Sequence, residues 1–383
     1  MSKLDFTDAE FALRRAKTRE AIGAAGLDWF LLFHPVTIRW LTGSDAKSYQ
    51  EFQCLFISAK PGPVSVLTRT GERNEFEQDA LIDEVFTWGG GEPEDPIRAL
   101  EQVMKQLGVG GRIGIEVPGY FLHPHHYVRI RALLGDNTIE ATNLIQDLTL
   151  VKSATELQYI REAARIADVA MERFVGSLAV GRSELELAGE IHHALLTSGS
   201  GLAASPINLV TGDRSCFSHG APTLRSLRHG DFGNVEYGAT FHRYTSTIGR
   251  QFCLGPPTSR MQDLYGVVYR AFEACRAEIR AGVPAVVPHE AAKRVIADAG
   301  LERGRVHLSG YGLAPGSPPG WAEPIHLFGE SQYILQAGMV VTIEPPVFLG
   351  DERLGVRIID NVLITEEGTE LLSRYPRDLI VCD

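Results

Sequence analysis

The sequence predicts an α+β protein in two parts: a smaller α/β domain over residues 1–150 and a larger α+β domain over residues 151–383. Three observations carry this. A chain of 383 residues exceeds what one ordinary core organises and fits one small and one large domain. Before residue 150, short apolar runs alternate with helical patterns, the texture of a partly parallel sheet. After residue 205, β-rich segments broken by Gly and Pro dominate, with long helices among them, the texture of antiparallel strands carrying helices on one face.

The first element is an amphipathic helix over 8–26, where Phe11, Leu13, Ala16, Ile22 and Ala25 recur among charges. Trp29–Phe33 reads as a buried strand. Cys54–Ser58, Val64–Thr68, Val85–Trp88 and Ile113–Val117 read as further strands, with helices over 95–107 and 124–134, and the domain closes near Leu144–Leu150. Val151-Lys152-Ser153 marks the boundary. Ser153-x-x-Glu156 is a capping box. It opens a helix to about Ser177, in which Leu157, Ile160, Ala164, Ile166, Ala170 and Phe174 recur roughly once per turn. Ser183, with Glu186 three residues on, opens a second helix over 184–197. The remainder reads as strands at Ile207–Thr211, Gly233–Ala239, Thr245–Leu254, Val306–Leu308, Val340–Phe348 and Gly355–Thr365. Helices fit over roughly 258–281 and 289–299.

Composition excludes several classes. The chain is 44% hydrophobic and 22% charged, which suits a soluble globular protein. Its net charge of −11 opposes binding to phosphate backbones, so no nucleic-acid partner is expected. No apolar stretch of about 18 residues and no leader-like apolar region at the N-terminus are present, so no membrane partner and a cytoplasmic location are expected. The five cysteines are Cys54, Cys216, Cys253, Cys275 and Cys382. They are odd in number, widely spaced and form no CxxC, so they read as free thiols in a reducing compartment.

Three segments of the C-terminal half carry the chemistry. The first is Ser218-His219-Gly220-Ala221-Pro222-Thr223. The second runs from Asn234-Val235-Glu236-Tyr237-Gly238 to Ser246-Thr247-Ile248-Gly249-Arg250. The third joins His307-Leu308-Ser309-Gly310-Tyr311-Gly312, Thr342-Ile343-Glu344-Pro345 and Gly355-Val356-Arg357-Ile358-Ile359-Asp360. In this order they resemble the pita-bread family, which includes methionine aminopeptidase, prolidase, aminopeptidase P, creatinase and ectoine hydrolase. Phe33-His34-Pro35 and Trp40-Leu41-Thr42-Gly43 look like the creatinase-type N-terminal domain. The resemblance implies a pita-bread catalytic domain behind it.

The family's metallopeptidases hold two metals with Asp, Asp, His, Glu and Glu. Carried over in that order, the positions fall on Glu236, Thr247, Tyr311, Glu344 and Ile359. A hydroxyl is a poor ligand, a phenol stays neutral near pH 7, and isoleucine has no donor atom, so the set no longer provides the charge for two dications. No metal and no cofactor are therefore expected. The remaining residues resemble the metal-free branch, ectoine hydrolase above all, through Tyr311 and the Pro318-Pro319-Gly320-Trp321 loop. That implies a metal-independent hydrolase cleaving a C–N bond in a small nitrogenous compound: a cyclic amidine, guanidino compound or amide.

The roles implied by the resemblance follow. His219, with an unperturbed pKa near neutrality, moves the proton. Glu236 attacks the electrophilic carbon or activates water, and Glu344 orients or charge-pairs the substrate. Tyr311 donates to the developing tetrahedral centre. His307, Thr247 and Trp321 line the substrate. Trp40 and Tyr49 belong to a loop region that in the family reaches the neighbouring subunit's site, so a homodimer is expected. Two features depart from the relatives. Gly249 stands where creatinase carries a Glu, which disfavours creatine, and Gly43-Ser44-Asp45 replaces the ectoine hydrolases' segment. Two alternatives stand beside this reading: a metal-dependent Xaa-Pro dipeptidase or aminopeptidase, and a non-catalytic peptide-binding relative. His123-Pro124-His125-His126 reads as a surface loop, and Asp360, Asp351 and Glu352 as solvated or loop charges.

Overall fold

The structure is a computed structural model that describes residues 3–45, 50–117 and 119–382. The chain divides into two compact units, Met1–Thr149 and Leu150–Asp383. It is the α+β architecture expected: a creatinase-type N-terminal unit and a pita-bread catalytic unit.

In the N-terminal unit the strands are β1 (Trp29–Leu32), β2 (Cys54–Ser58), β3 (Ser65–Arg69), β4 (Glu84–Trp88), β5 (Ile113–Ile115) and β6 (Thr138–Glu140). Among the described residues they form one sheet in the order β4-β3-β2-β1-β5-β6. β1 runs parallel to β5 but antiparallel to β2, so the sheet is mixed. Its helices are α1 (Asp8–Ala24), α2 (Pro35–Thr42), α3 (Arg73–Asp79), α4 (Pro96–Leu107), α5 (Pro124–Leu134) and α6 (Asn143–Gln146). Alternation along β1 splits its side chains between two cores, Leu31 into one and Phe30 and Leu32 into the other. The sequence reading misses α2, although His34 caps it, Pro35 occupies its first turn and Gly43 ends it with φ of 79°. The His123 tract is not a plain loop, because the His123 side chain accepts from the backbone N–H of His125 and caps α5.

The catalytic unit opens on α7 (Ala154–Gly176), started by the expected capping box with both reciprocal bonds made. α8 (Glu184–Thr197) starts the same way from Ser183. Later come α9 (Ser259–Glu278) and α10 (Val286–Asp298). The strands are β7 (Asn208–Thr211), β8 (Phe232–Phe241), β9 (Tyr244–Leu254), β10 (Gly310–Ser317), β11 (Gly320–Leu327), β12 (Val340–Ile343), β13 (Val347–Leu349), β14 (Leu354–Val356), β15 (Asp360–Ile364), β16 (Thr369–Leu371) and β17 (Ile380–Cys382). The main sheet runs β16-β15-β12-β10-β9-β8-β7, with β11 on β10 and β17 on β9.

The pleat of β8 and β9 places the site. Val235, Tyr237 and Ala239 of β8, with Ile248, Phe252 and Leu254 of β9, enter the core shared with α7 and α8. Successive strand residues point to opposite faces. Asn234 and Glu236, together with Thr247 and Gln251, therefore share the opposite face, which also receives the β12 to β15 segments.

Four readings are corrected. Val306–Leu308 forms no strand; the segment follows a short 3-10 turn at Glu302–Gly304 and runs as a loop with Val306 exposed. The single strand expected over Val340–Phe348 is two, because Pro345 and Pro346 carry no N–H for a ladder. Gly355–Thr365 also splits, since Arg357 to Ile359 leave β14 before β15 begins. Asp360 is no solvated charge: it is fully buried, with Arg250 at 2.9 Å and Arg377 at 3.2 Å.

A second buried pair closes the sheet beside α7. Lys152 Nζ lies 2.6 Å from Glu323 Oε1, and both side chains are almost fully buried. Lys152→Met removes the cation from a buried carboxylate and is expected to cost about 3–5 kcal/mol. Urea unfolding midpoints measure it, and Lys152→Met/Glu323→Leu is expected to recover most of the loss.

Candidate active site

Glu236 sits in the middle of β8 with only 7% of its surface exposed. A carboxylate in that position needs partners, because an unpaired buried charge is strongly unfavourable. Two are present. Asn208, opposite it on β7, donates from Nδ2 to Oε2 at 2.9 Å. Arg357 donates from Nη1 to the same oxygen as an ion pair. The other terminal nitrogen of Arg357 donates to the Ser218 carbonyl. Burial pulls the Arg357 guanidinium down to about 9, so it remains charged at neutral pH. The sequence reading quotes Arg357 within a motif and assigns it no role.

Arg357 thereby ties the β14–β15 connection to the loop that presents His219. The same loop is held from behind, where the Leu209 amide donates to the Gly220 carbonyl at 3.0 Å. A Cβ on Gly220 would lie 2.1 Å from Val210 Cγ1, so this close approach demands glycine. His219 and His307 face each other edge to face with ring centroids 5.9 Å apart. Partial burial, then the Arg357 and His307 charges, holds the His219 pKa below its ordinary value. Burial does the same for His307, opposed by its contact with the Leu308 carbonyl.

Glu344 follows β12, where its amide donates to the Ser309 carbonyl at 2.9 Å. Its Oε1 is buried and accepts no hydrogen bond within the described residues; His307 Nδ1 approaches to 3.5 Å. Burial pushes this carboxyl well above the usual carboxylate range, which favours its protonated form. Tyr311, on β10, takes an indole hydrogen bond from Trp321 Nε1 at 3.0 Å. Burial, then the nearby Glu344, raises its phenol, so it stays protonated.

His219, Glu236, His307, Tyr311, Glu344, Pro346, Arg357 and Ile359 line one cavity of about 30 Å³. The structure thus brings together five of the residues picked from the sequence: His219, Glu236, Glu344, Tyr311 and His307. Thr247 is not among the lining. Its amide donates to Asn361 Oδ1 at 2.6 Å and its hydroxyl accepts from Asn361 Nδ2 at 2.8 Å, a closed pair. Trp321 supports Tyr311 from behind rather than lining the cavity, against the expectation of a substrate contact. Trp40 packs in a core of the N-terminal unit, with its carbonyl accepting from Arg14 at 3.0 Å. Tyr49 lies outside the described residues. Ile359 exchanges both backbone hydrogen bonds with Gly249, and a Cβ at 249 would come within 2.8 Å of its side chain. A glutamate at 249 therefore cannot be accommodated beside Ile359.

The model of metallopeptidase family M24 matches residues 158–366, and that of the creatinase/prolidase N-terminal domain matches residues 14–151. The chain belongs to metallopeptidase family M24. It is 29% identical over 379 residues to the probable dipeptidase PepE of Mycobacterium tuberculosis, covering 98% of this chain and 97% of the relative. Among solved structures it resembles the dipeptidase PepE from Mycobacterium ulcerans, at 27% identity and a TM-score of 0.86 over 98% of this chain and 99% of that one. It also resembles the Xaa-Pro dipeptidase from Bacillus anthracis, at 25% identity and a TM-score of 0.84 over 97% and 99%.

These likenesses correct the sequence reading. The expected metal-independent, ectoine hydrolase-like hydrolase of non-peptide C–N bonds is contradicted by the relatives, since full-length relatives are named dipeptidases and Xaa-Pro dipeptidases within a family of metallopeptidases. The reading leaned on the missing ligand chemistry at Thr247, Tyr311 and Ile359 and on the Pro318-Pro319-Gly320-Trp321 loop, which are local and do not outweigh similarity along the whole chain.

The family name implies a metal, and the donor set of this chain does not fit one. Arg357 and Asn208 already occupy Glu236 Oε2. Asn361 closes on Thr247, Tyr311 is a neutral phenol, and Ile359 offers no donor. Among the described residues no group of three or more His, Cys, Asp or Glu side chains is arranged to hold a metal ion.

The buried Glu344 carboxyl yields a pH prediction. Its folded pKa is raised, so the stability linked to its protonation is full below the unfolded value near 4.3 and is lost as pH rises through the folded value. Glu344→Gln stays neutral throughout. The variant's stability relative to the original protein is therefore expected to climb as pH rises above the unfolded value, by up to about 1.4 kcal/mol per pH unit, until the folded value is passed, within a series of melts run from pH 5 to pH 8. Parallel thermal melts across that range measure the difference; a flat difference contradicts the assignment.

Proposed function

We propose that this protein is a dipeptidase-type hydrolase acting on the peptide bond of a short peptide at the His219–Glu344 cavity. The observation that supports it most is the similarity to named dipeptidases over nearly the full length of both chains. A cavity of about 30 Å³ has room for one reacting centre or one water, not for a whole dipeptide, so the peptide reaches it with its carbonyl only.

In this reading His219, neutral at physiological pH, accepts the proton of an attacking water. The Tyr311 hydroxyl accepts from Trp321 and has its own proton to donate to the carbonyl oxygen as charge develops there. In the protonated form that burial favours, Glu344 passes its proton to the amide nitrogen as the C–N bond breaks, and His219 restores it. Arg357 holds the Glu236 carboxylate in place and so sets the wall of the cavity.

A second reading is a peptide-binding protein without turnover. It is favoured by the Thr247–Asn361 pair and the Glu236–Arg357 pair, which fill positions that hold metal in the family's peptidases. One experiment separates the two. Purified protein is incubated with a dipeptide panel that includes Xaa-Pro members, and released amino acids are measured by mass spectrometry. Hydrolysis of at least one dipeptide, lowered on the order of 10²–10⁴-fold by His219→Ala, is expected. Calorimetric binding without release would establish the second reading, and the absence of both binding and release would overturn both.

A further inference from the structure

Two buried carboxylates grip the loop that carries His219, one from each side, and only the first lines the cavity. On one side Arg357 gives Nη1 to Glu236 and Nη2 to the carbonyl of Ser218, the residue before His219. On the other side Arg214 does the same. Its Nη1 pairs with Glu184, and its Nη2 donates at 2.6 Å to the carbonyl of Ala221, two residues after His219. Each guanidinium thus gives one nitrogen to a carboxylate and the other to a loop carbonyl. A planar fork spans both acceptors, whereas the compact ammonium of a lysine does not.

Glu184 has the partners that such a buried charge requires. It is the first residue of α8, and its side chain is fully buried. Thr211 Oγ1 donates to its Oε1 at 2.7 Å, while the amide and hydroxyl of Thr223 donate to Oε2 at 2.9 Å and 2.8 Å. The Leu185 amide, next along α8, donates to the Thr223 carbonyl at 3.0 Å. α8 itself buries Leu187, Ile191 and Leu195 in the core it shares with α7, so its first turn is a rigid anchor. The far end of the His219 loop takes its position from that anchor.

We infer that Glu184, acting through Arg214, is a positioning residue for His219. The Glu184–Arg214 and Glu236–Arg357 pairs clamp the loop at its two ends, and the imidazole keeps its place in the cavity wall only while both hold. This deepens the proposed peptide hydrolysis and rests on it for the role of His219 as proton acceptor. Neither Glu184 nor Arg214 lines the cavity, so their effect falls on the geometry of proton transfer rather than on substrate binding.

The test compares Arg214→Lys and Glu184→Gln with the unmodified protein. Lysine keeps a cation beside Glu184 but loses the second fixed nitrogen, and glutamine keeps the size but loses the charge. Thermal melts identify which variants remain folded, and whichever does decides the outcome. Arg161→Lys, in the exposed pair with Glu370, is the control that leaves turnover unchanged. On a dipeptide that the protein hydrolyses, each variant is expected to lower kcat on the order of 10-fold, with KM within about 2-fold. His219→Ala/Arg214→Lys is expected to be no slower than His219→Ala alone, since the pair works through that imidazole. A fall carried by KM, an unchanged kcat in a folded variant, or an additive loss in the double variant overturns the positioning role.

Should the protein hydrolyse no dipeptide, the peptidase reading fails separately and NMR decides the clamp. The ring signals of His219 in histidine-labelled protein are assigned by their loss in His219→Gln. In Arg214→Lys they are expected to move or broaden, while the histidine signals of the N-terminal unit stay in place. An unmoved His219 signal in the folded variant overturns the clamp.

Discussion

The carboxylate of Glu236 lies in the middle of a buried strand, and the β14–β15 connection provides its cation. A glutamate on the site face of β8 is tolerable only if paired, and Arg357 meets it there with Asn208 as a second donor. Because the same guanidinium also holds the Ser218 carbonyl, the pair ties three segments distant in sequence into one wall. The position of His219 depends on that tie. So does the shape of the cavity, since Arg357 and Ile359 are two residues apart and line it together.

Four of the five positions that serve as ligands in the family's metallopeptidases have a different occupation here. Thr247 closes on Asn361, Tyr311 takes the Trp321 indole, Ile359 pairs its backbone with Gly249, and Glu236 holds Arg357. Such satisfied, low-freedom arrangements are what a packed interior demands of polar groups. Glu344 is the exception. Burial with an unpaired oxygen is costly unless the group is protonated or awaits a partner, and functional sites are where such costs are kept. The likeness to named dipeptidases runs along the whole chain, whereas the donor set does not fit the family's metal chemistry.

Much of the fold was legible because its signals are local. Ser153 with Glu156 and Ser183 with Glu186 each announce a helix start, since the bonds that satisfy the first turn lie within three residues. The long strands β8 and β9 were legible from their apolar runs. The hairpin of β10 and β11 was not, because Gly, Pro and Ser fill it and its stability comes from neighbours on both sides rather than from intrinsic preference. Val306–Leu308 misled in the opposite way: three residues of strand-like composition found no ladder partner, and the segment runs as a loop with Val306 exposed.

The sequence by itself determined the family architecture, the capped helices and the grouping of His219, Glu236, His307, Tyr311 and Glu344, because motif order and short spacings encode those. Only the tertiary structure decided the partner of each group. Arg357 meets Glu236 across 121 residues of chain and Asn361 meets Thr247 across 114. Nothing in the local pattern of either segment specifies such a pairing, since it arises from the register of strands and the demand that buried charge and hydrogen-bonding capacity be met.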